Sequence, residues 1–153
     1  MVYIMKTIEQ IIEKTIELAK QASENDEVPV GAIIFDDEGS IIAKSENRTR
    51  REHSVAYHAE LDCISQAGKI KGSENLSEYH IATSLEPCAM CAQAIAWAKL
   101  RTVVIACDDP KSGGIIHNAK IFDHSHHKPE VIYLEQFKEQ SAQLLQDFFK
   151  SKR

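Results

Sequence analysis

The chain has 153 residues, is 43% hydrophobic and 27% charged, and carries a formal charge of -5. This length suits one ordinary domain, residues 1–153, burying roughly 70% of the surface its unfolded chain exposes, and it excludes a second full domain. No apolar run approaches the ~18 residues of a membrane span, and the first six residues lack the basic, apolar, small-residue order of a signal peptide, so a cytoplasmic protein without membrane contact is expected.

The first predicted element is a helix, in which Ile8, Ile11, Ile12, Ile16, Ala19 and Ala22 recur at helical spacing after a Thr7 N-cap. Residues 30–35 and 41–44 are short β-rich runs, and the polar residues 36–40 between them read as a hairpin turn. A second helix is expected from about His58 to Lys69, its exit marked by Gly68 and Gly72, followed by a strand at 81–84. An alanine-rich helix from about Cys88 to Lys99 can pack closely on a sheet, and 102–106 reads as a buried strand. After an irregular stretch come a strand at 131–133 and a closing helix at 136–150. This order predicts an α/β protein, a three-layer α/β/α domain with a mixed five-stranded sheet. The passages around the third helix favour parallel neighbours, and the only clear hairpin is the first.

Four cysteines in a reducing compartment direct any close pair toward metal or redox chemistry. Two short motifs stand out, His58-Ala59-Glu60 and Pro87-Cys88-Ala89-Met90-Cys91, each at a predicted helix start. Cys88 and Cys91 at i and i+3 share a helix face and can close on one ion, with His58 as a third ligand. Three protein ligands leave one tetrahedral position open, the arrangement of catalytic zinc, and one zinc per subunit is expected. Such an ion makes hydroxide available near neutral pH. Glu60 is placed to be a non-ligating carboxylate that moves protons between that water, a ring nitrogen and a leaving amine. A thioredoxin-like redox pair, and an ordinary histidine at a helix start, are the alternatives that each motif alone would allow.

Together the motifs resemble the zinc-dependent nucleobase deaminases, and within them the bacterial tRNA adenosine deaminases. The resemblance covers nearly the whole chain and includes Glu27-Val28-Pro29-Val30-Gly31-Ala32, Asn47-Arg48, Ser84-Leu85-Glu86, Asp109-Pro110-Lys111-Ser112-Gly113 and Leu145-Gln146-Asp147-Phe148-Phe149. It implies a cytidine-deaminase-like fold, His58, Cys88 and Cys91 as zinc ligands, Glu60 as proton shuttle, and hydrolytic deamination of the wobble adenosine of a tRNA anticodon loop to inosine. It further implies a homodimer, with Asn47 hydrogen-bonding the flipped base, Val30 walling the pocket and Asp109 near the target sugar. Asn47 and Asp109 are also good turn residues, and that reading stays open. Tyr57 departs from the small residue usual before the ligand histidine, which bears on how flanking nucleotides fit or supplies a stacking surface. A deaminase of a free base or nucleoside shares this chemistry. A catalytically silent RNA-binding subunit is a further alternative, against which the intact Glu60 speaks.

The acidity is N-terminal, with ten acidic and four basic side chains in residues 1–46 against thirteen and fourteen afterwards. An RNA surface would therefore be assembled locally from Arg48, Arg50, Arg51, Lys111, Lys150, Lys152 and Arg153. Cys63 and Cys107 read as small buried hydrophobes, and the tract 124–127 as an exposed histidine-rich loop. Trp97 is expected in the core or at a subunit interface. His53, His80 and His117 receive no specific role.

Overall fold

The structure, a computed structural model, describes residues 2–153, so of the N-terminal segment read above only Met1 lies outside the described residues. The strands are β1 (Gly31–Phe35), β2 (Ile41–Glu46), β3 (His80–Thr83), β4 (Thr102–Ile105) and β5 (Glu130–Tyr133). They form one mixed sheet in the order β2-β1-β3-β4-β5. β1 runs antiparallel to both of its neighbours, whereas β3, β4 and β5 are mutually parallel. Helices α1 (Val2–Glu24) and α4 (Lys138–Ser151) lie on one face, and α2 (Ala59–Lys71) and α3 (Ala89–Trp97) on the other.

This three-layer arrangement follows from strands that are apolar on both faces. In β1, Ile33 and Phe35 pack against α1, while Ala32 and Ile34 point into the cluster formed with α2 and α3. Gly31 lets α1 approach closely, since a Cβ there would fall 2.2 Å from the Thr15 carbonyl oxygen and 2.7 Å from Leu18 Cβ. The hairpin turn is held by Asp36, whose Oδ1 accepts the N–H groups of Glu38 at 3.0 Å and Ser40 at 2.9 Å.

Several boundaries move. Thr7 lies inside α1 rather than capping it, because nothing in residues 2–6 breaks a helix and the element continues upstream. His58 and Cys88 are the N-cap residues of α2 and α3 and so sit just outside the helices expected to contain them. Gly72 ends α2 in the left-handed region, with its N–H on the Gly68 carbonyl, while Gly68 lies within the helix. Trp97 is 74% exposed, which removes it from the core. No helix among the described residues is long and apolar enough to cross a membrane.

Candidate active site

The starts of α2 and α3 lie side by side beneath the sheet, and this brings two segments thirty residues apart in sequence into contact. His58 Nδ1 lies 3.7 Å from Cys88 Sγ and 3.5 Å from Cys91 Sγ, and the three ligand atoms all fall within 4.8 Å of one another. Zinc–sulfur and zinc–nitrogen bonds of usual length at a tetrahedral angle place N and S about 3.6 Å apart, so the site fits zinc in donor type and in spacing. Cys88 is held down at about 4 by the hydrogen bond it receives from the Cys91 thiol, against the effect of burial and with further help from His58. The same hydrogen bond, with burial, pushes Cys91 up. The hydrogen bond with Cys88 raises His58. Glu60 is buried in the first turn of α2, and burial raises its carboxyl above the usual range.

Above these groups opens a cavity of about 650 Å³, a size typical of small-molecule sites. Its lining includes His58, Glu60 and Cys88 at the metal end, and Val30, Asn47, Asp109 and Lys111 among the residues expected to meet substrate. Asn47 is buried and also serves the strand exit, since its Nδ2 donates to the Val28 carbonyl and its Oδ1 accepts the Thr49 N–H, both at 3.3 Å. Asp109 combines two roles in the same way, its Oδ1 accepting from the N–H groups of Lys111 and Ser112 at 3.2 and 3.1 Å. Arg48 and Tyr57 do not line this cavity. Arg48 Nη2 pairs with Asp62 at 2.8 Å and its guanidinium lies 5.4 Å from the centre of the Tyr57 ring, so the two residues engage each other and α2.

Two buried glutamates hold the loops on either side of the opening. Glu27 accepts the N–H groups of Arg50 and Arg51, both at 2.9 Å, and Arg51 Nε at 3.2 Å. Burial pushes its carboxyl up, but these donors outweigh it and leave the group below the usual range. Glu86 accepts the Asp109 N–H on Oε1 at 3.0 Å, and those of Ile115, Ile116 and His117 on Oε2 at 3.1, 2.9 and 3.1 Å.

Sequence reasoning missed the far wall. Lys138, Ala142, Leu145 and Phe149 of α4 line the cavity, and their i, i+4, i+7, i+11 spacing was the signal that could have found them. Asp108, also in the lining, joins three elements there. It accepts from Lys138 Nζ at 3.0 Å and Tyr133 Oη at 3.0 Å, and its other oxygen meets His117 Nε2 at 2.8 Å. His80 likewise has a partner, Asp37, at 2.7 Å. Cys63 and Cys107 are buried as expected. In the histidine tract, His127 is tied to the Leu100 carbonyl.

Residues 5–107 match the family model of the cytidine and deoxycytidylate deaminase zinc-binding region. The chain is 42% identical over 145 residues to a tRNA-specific adenosine deaminase of Rickettsia bellii (strain RML369-C), covering 93% of this chain and 99% of that protein. It is 40% identical over 137 residues to one of Agrobacterium fabrum (strain C58 / ATCC 33970), covering 88% and 89%. A solved structure from studies of A-to-I editing by tRNA:A34 deaminases at the wobble position of transfer RNA superposes with a TM-score of 0.85 at 37% identity, covering 90% of this chain and 99% of that one.

Proposed function

The chain belongs to the zinc-binding cytidine and deoxycytidylate deaminase family, and from that premise we propose that it converts adenosine to inosine at the wobble position of a tRNA anticodon loop. It is a zinc enzyme with one ion per subunit. The observation that carries the reading is the opening of a His-Cys-Cys ligand cluster and a buried glutamate into one cavity. His58, Cys88 and Cys91 would hold the metal, which when bound would supply the Lewis acidity that makes water nucleophilic near neutral pH. The Glu60 carboxylate takes one proton from the attacking water and delivers it to a purine ring nitrogen, then takes the second from the hydroxyl now on C6 and passes it to the departing amine, so that C6 becomes a carbonyl. Water adds at C6 and ammonia leaves. Beyond its bonds to Val28 and Thr49, Asn47 keeps one N–H and one lone pair for the purine edge. Val30 and Leu85 supply apolar walls that exclude competing water.

The cavity draws residues from Val28 to Phe149, well past the end of the family match, which supports residues 1–153 as one deaminase domain. A tRNA substrate supports action in the cytoplasm. The exposed Trp97, beside Ala94 and the groove between α2 and α3, supports a homodimer through this helical face.

The test is incubation of zinc-loaded protein with an adenosine-containing anticodon stem-loop, and in parallel with free bases and nucleosides. Inosine is expected in the stem-loop. Turnover of guanine or cytosine with an unchanged stem-loop would move the protein to the free-base reading. Light scattering is expected to give twice the chain mass and to fall to one chain for Trp97→Glu.

A further inference from the structure

We propose that Glu86 is a positioning residue for the substrate: by holding four main-chain N–H groups of the loop after β4, it fixes where Asp109 and Lys111 stand relative to the metal ligands. This rests on the reading above only in taking the cavity as the place where a nucleotide binds.

Glu86 is 2% exposed, and both of its oxygens are occupied by amides, one by Asp109 and the other by Ile115, Ile116 and His117. The nearest basic side chain is His117, its Nε2 4.0 Å away, and that ring is itself held by Asp108, so main-chain N–H groups satisfy the carboxylate. Burying such a group without partners is strongly unfavourable, which makes the loop and the side chain mutually dependent.

The loop has the shape that the side chain requires. A Cβ on Gly113 would lie 2.1 Å from Glu86 Oε2, and one on Gly114 would lie 2.5 Å from the Ala89 nitrogen. Both glycines are therefore places where the backbone closes around the carboxylate and the start of α3. The Gly114 N–H also bonds the Pro87 carbonyl at 2.8 Å, and the Glu86 N–H bonds the Cys107 carbonyl at 2.7 Å. Glu86 thus stands between the cysteine-bearing segment and the loop that carries Asp109 and Lys111. Its side-chain hydrogen bonds go to the loop, at the edge of the cavity that Glu86 also lines. His58, Cys88, Cys91 and Glu60 are held by α2, α3 and their own caps, so loosening the loop should spare the metal and the proton shuttle while spoiling the fit of the nucleotide.

Glu86→Gln makes the test graded. If the amide oxygen stays with residues 115–117, the NH2 group faces the Asp109 N–H, donor against donor, and Asp109 is released. KM for the anticodon stem-loop is expected to rise about tenfold with kcat within threefold of the starting protein and zinc content unchanged, a loss of binding rather than of chemistry. Amide hydrogen exchange at Asp109 is expected to speed up by at least tenfold. Gly113→Ala, which displaces the carboxylate from the other side, should give the same pattern, and the double variant should be no worse than the more affected single one. The proposal falls if Glu86→Gln lowers kcat at unchanged KM, loses zinc, leaves the Asp109 exchange rate unchanged, or adds fully to Gly113→Ala. Should the starting protein leave the stem-loop unconverted, the assigned activity falls instead, and hydrogen exchange still decides whether Glu86 holds the loop.

Discussion

Arg48 turns back to Asp62, with Nη2 and Oδ2 2.8 Å apart, and so spends its charge on α2 rather than on the surface. Arg50 pairs with Asp26, and Arg51 with Glu27 and Glu46, so the arginine cluster that reads as an RNA surface in the sequence is partly neutralised by acidic partners, although Arg50 and Arg51 themselves stay exposed. The cation expected to meet phosphate is Lys111, at the cavity and, among the described residues, engaged only through its main-chain N–H. Lys111→Ala should lower the slope of log affinity against log salt by about 0.7, the value for one phosphate contact on a single strand. Arg48→Ala should leave that slope unchanged and lower the melting temperature instead. Stem-loop binding measured across a salt series checks both.

Glu60→Gln keeps the shape of the side chain and removes its capacity to carry a proton. The expected result is a loss of about 10²- to 10⁴-fold in kcat, with zinc content and stem-loop affinity retained. Cys91→Ala should lose zinc and lower the melting temperature as well, because binding and folding of a metal site are coupled. Metal analysis together with single-turnover rates separates the two variants.

Removing the Glu27 carboxylate leaves two loop N–H groups and the Arg51 Nε–H without their acceptor. Glu27→Ala is expected to destabilise the fold by about 1–3 kcal/mol or more, the range for a buried hydrogen-bonding group left unpaired. Arg51→Ala should cost less, because the Arg50 and Arg51 amides still satisfy Glu27. Urea unfolding of both variants provides the comparison.

Asp108 carries a pH dependence. Its hydrogen bonds with His117, Lys138 and Tyr133 hold its carboxyl well below the usual carboxylate range. A depressed folded pKa means that protons bind the unfolded chain first, so the stabilisation is fully present above about pH 4 and is lost as pH falls further. Asp108→Asn should therefore be less stable than the starting protein at neutral pH, with the gap narrowing below pH 4. Melting curves of the two proteins across that range test the sign.

The elements of the fold were legible because apolar spacing differs between helices and strands, and the ligand set because His58 and the Cys88/Cys91 pair carry chemistry in their residue types. Glu27 and Glu86 were not legible as architecture. In a sequence, a glutamate reads as a solvated charge, and only the folded loops show that main-chain amides take the place of water around it. The same limit applies to Arg48: a run of arginines looks like a cationic face until its acidic partners, which lie on other elements, are brought alongside. Lys138 and Phe149 were hidden differently: their helical spacing is visible in the sequence, but only the packing of α4 brings that face to the cavity.

The strand order leaves two open edges, and these bear on aggregation. At β2, Ile41 and Lys44 are exposed, and the pairing with β1 is interrupted by a register shift at Ile34/Phe35. At β5, the edge is four residues long and opens with an exposed Glu130. Short, charged or bulged edges resist strand addition from another chain, so edge-to-edge polymerisation is disfavoured at both sides of this sheet. Contact between copies is thereby left to the helical faces, where association can stop at a closed pair instead of growing into a fibre.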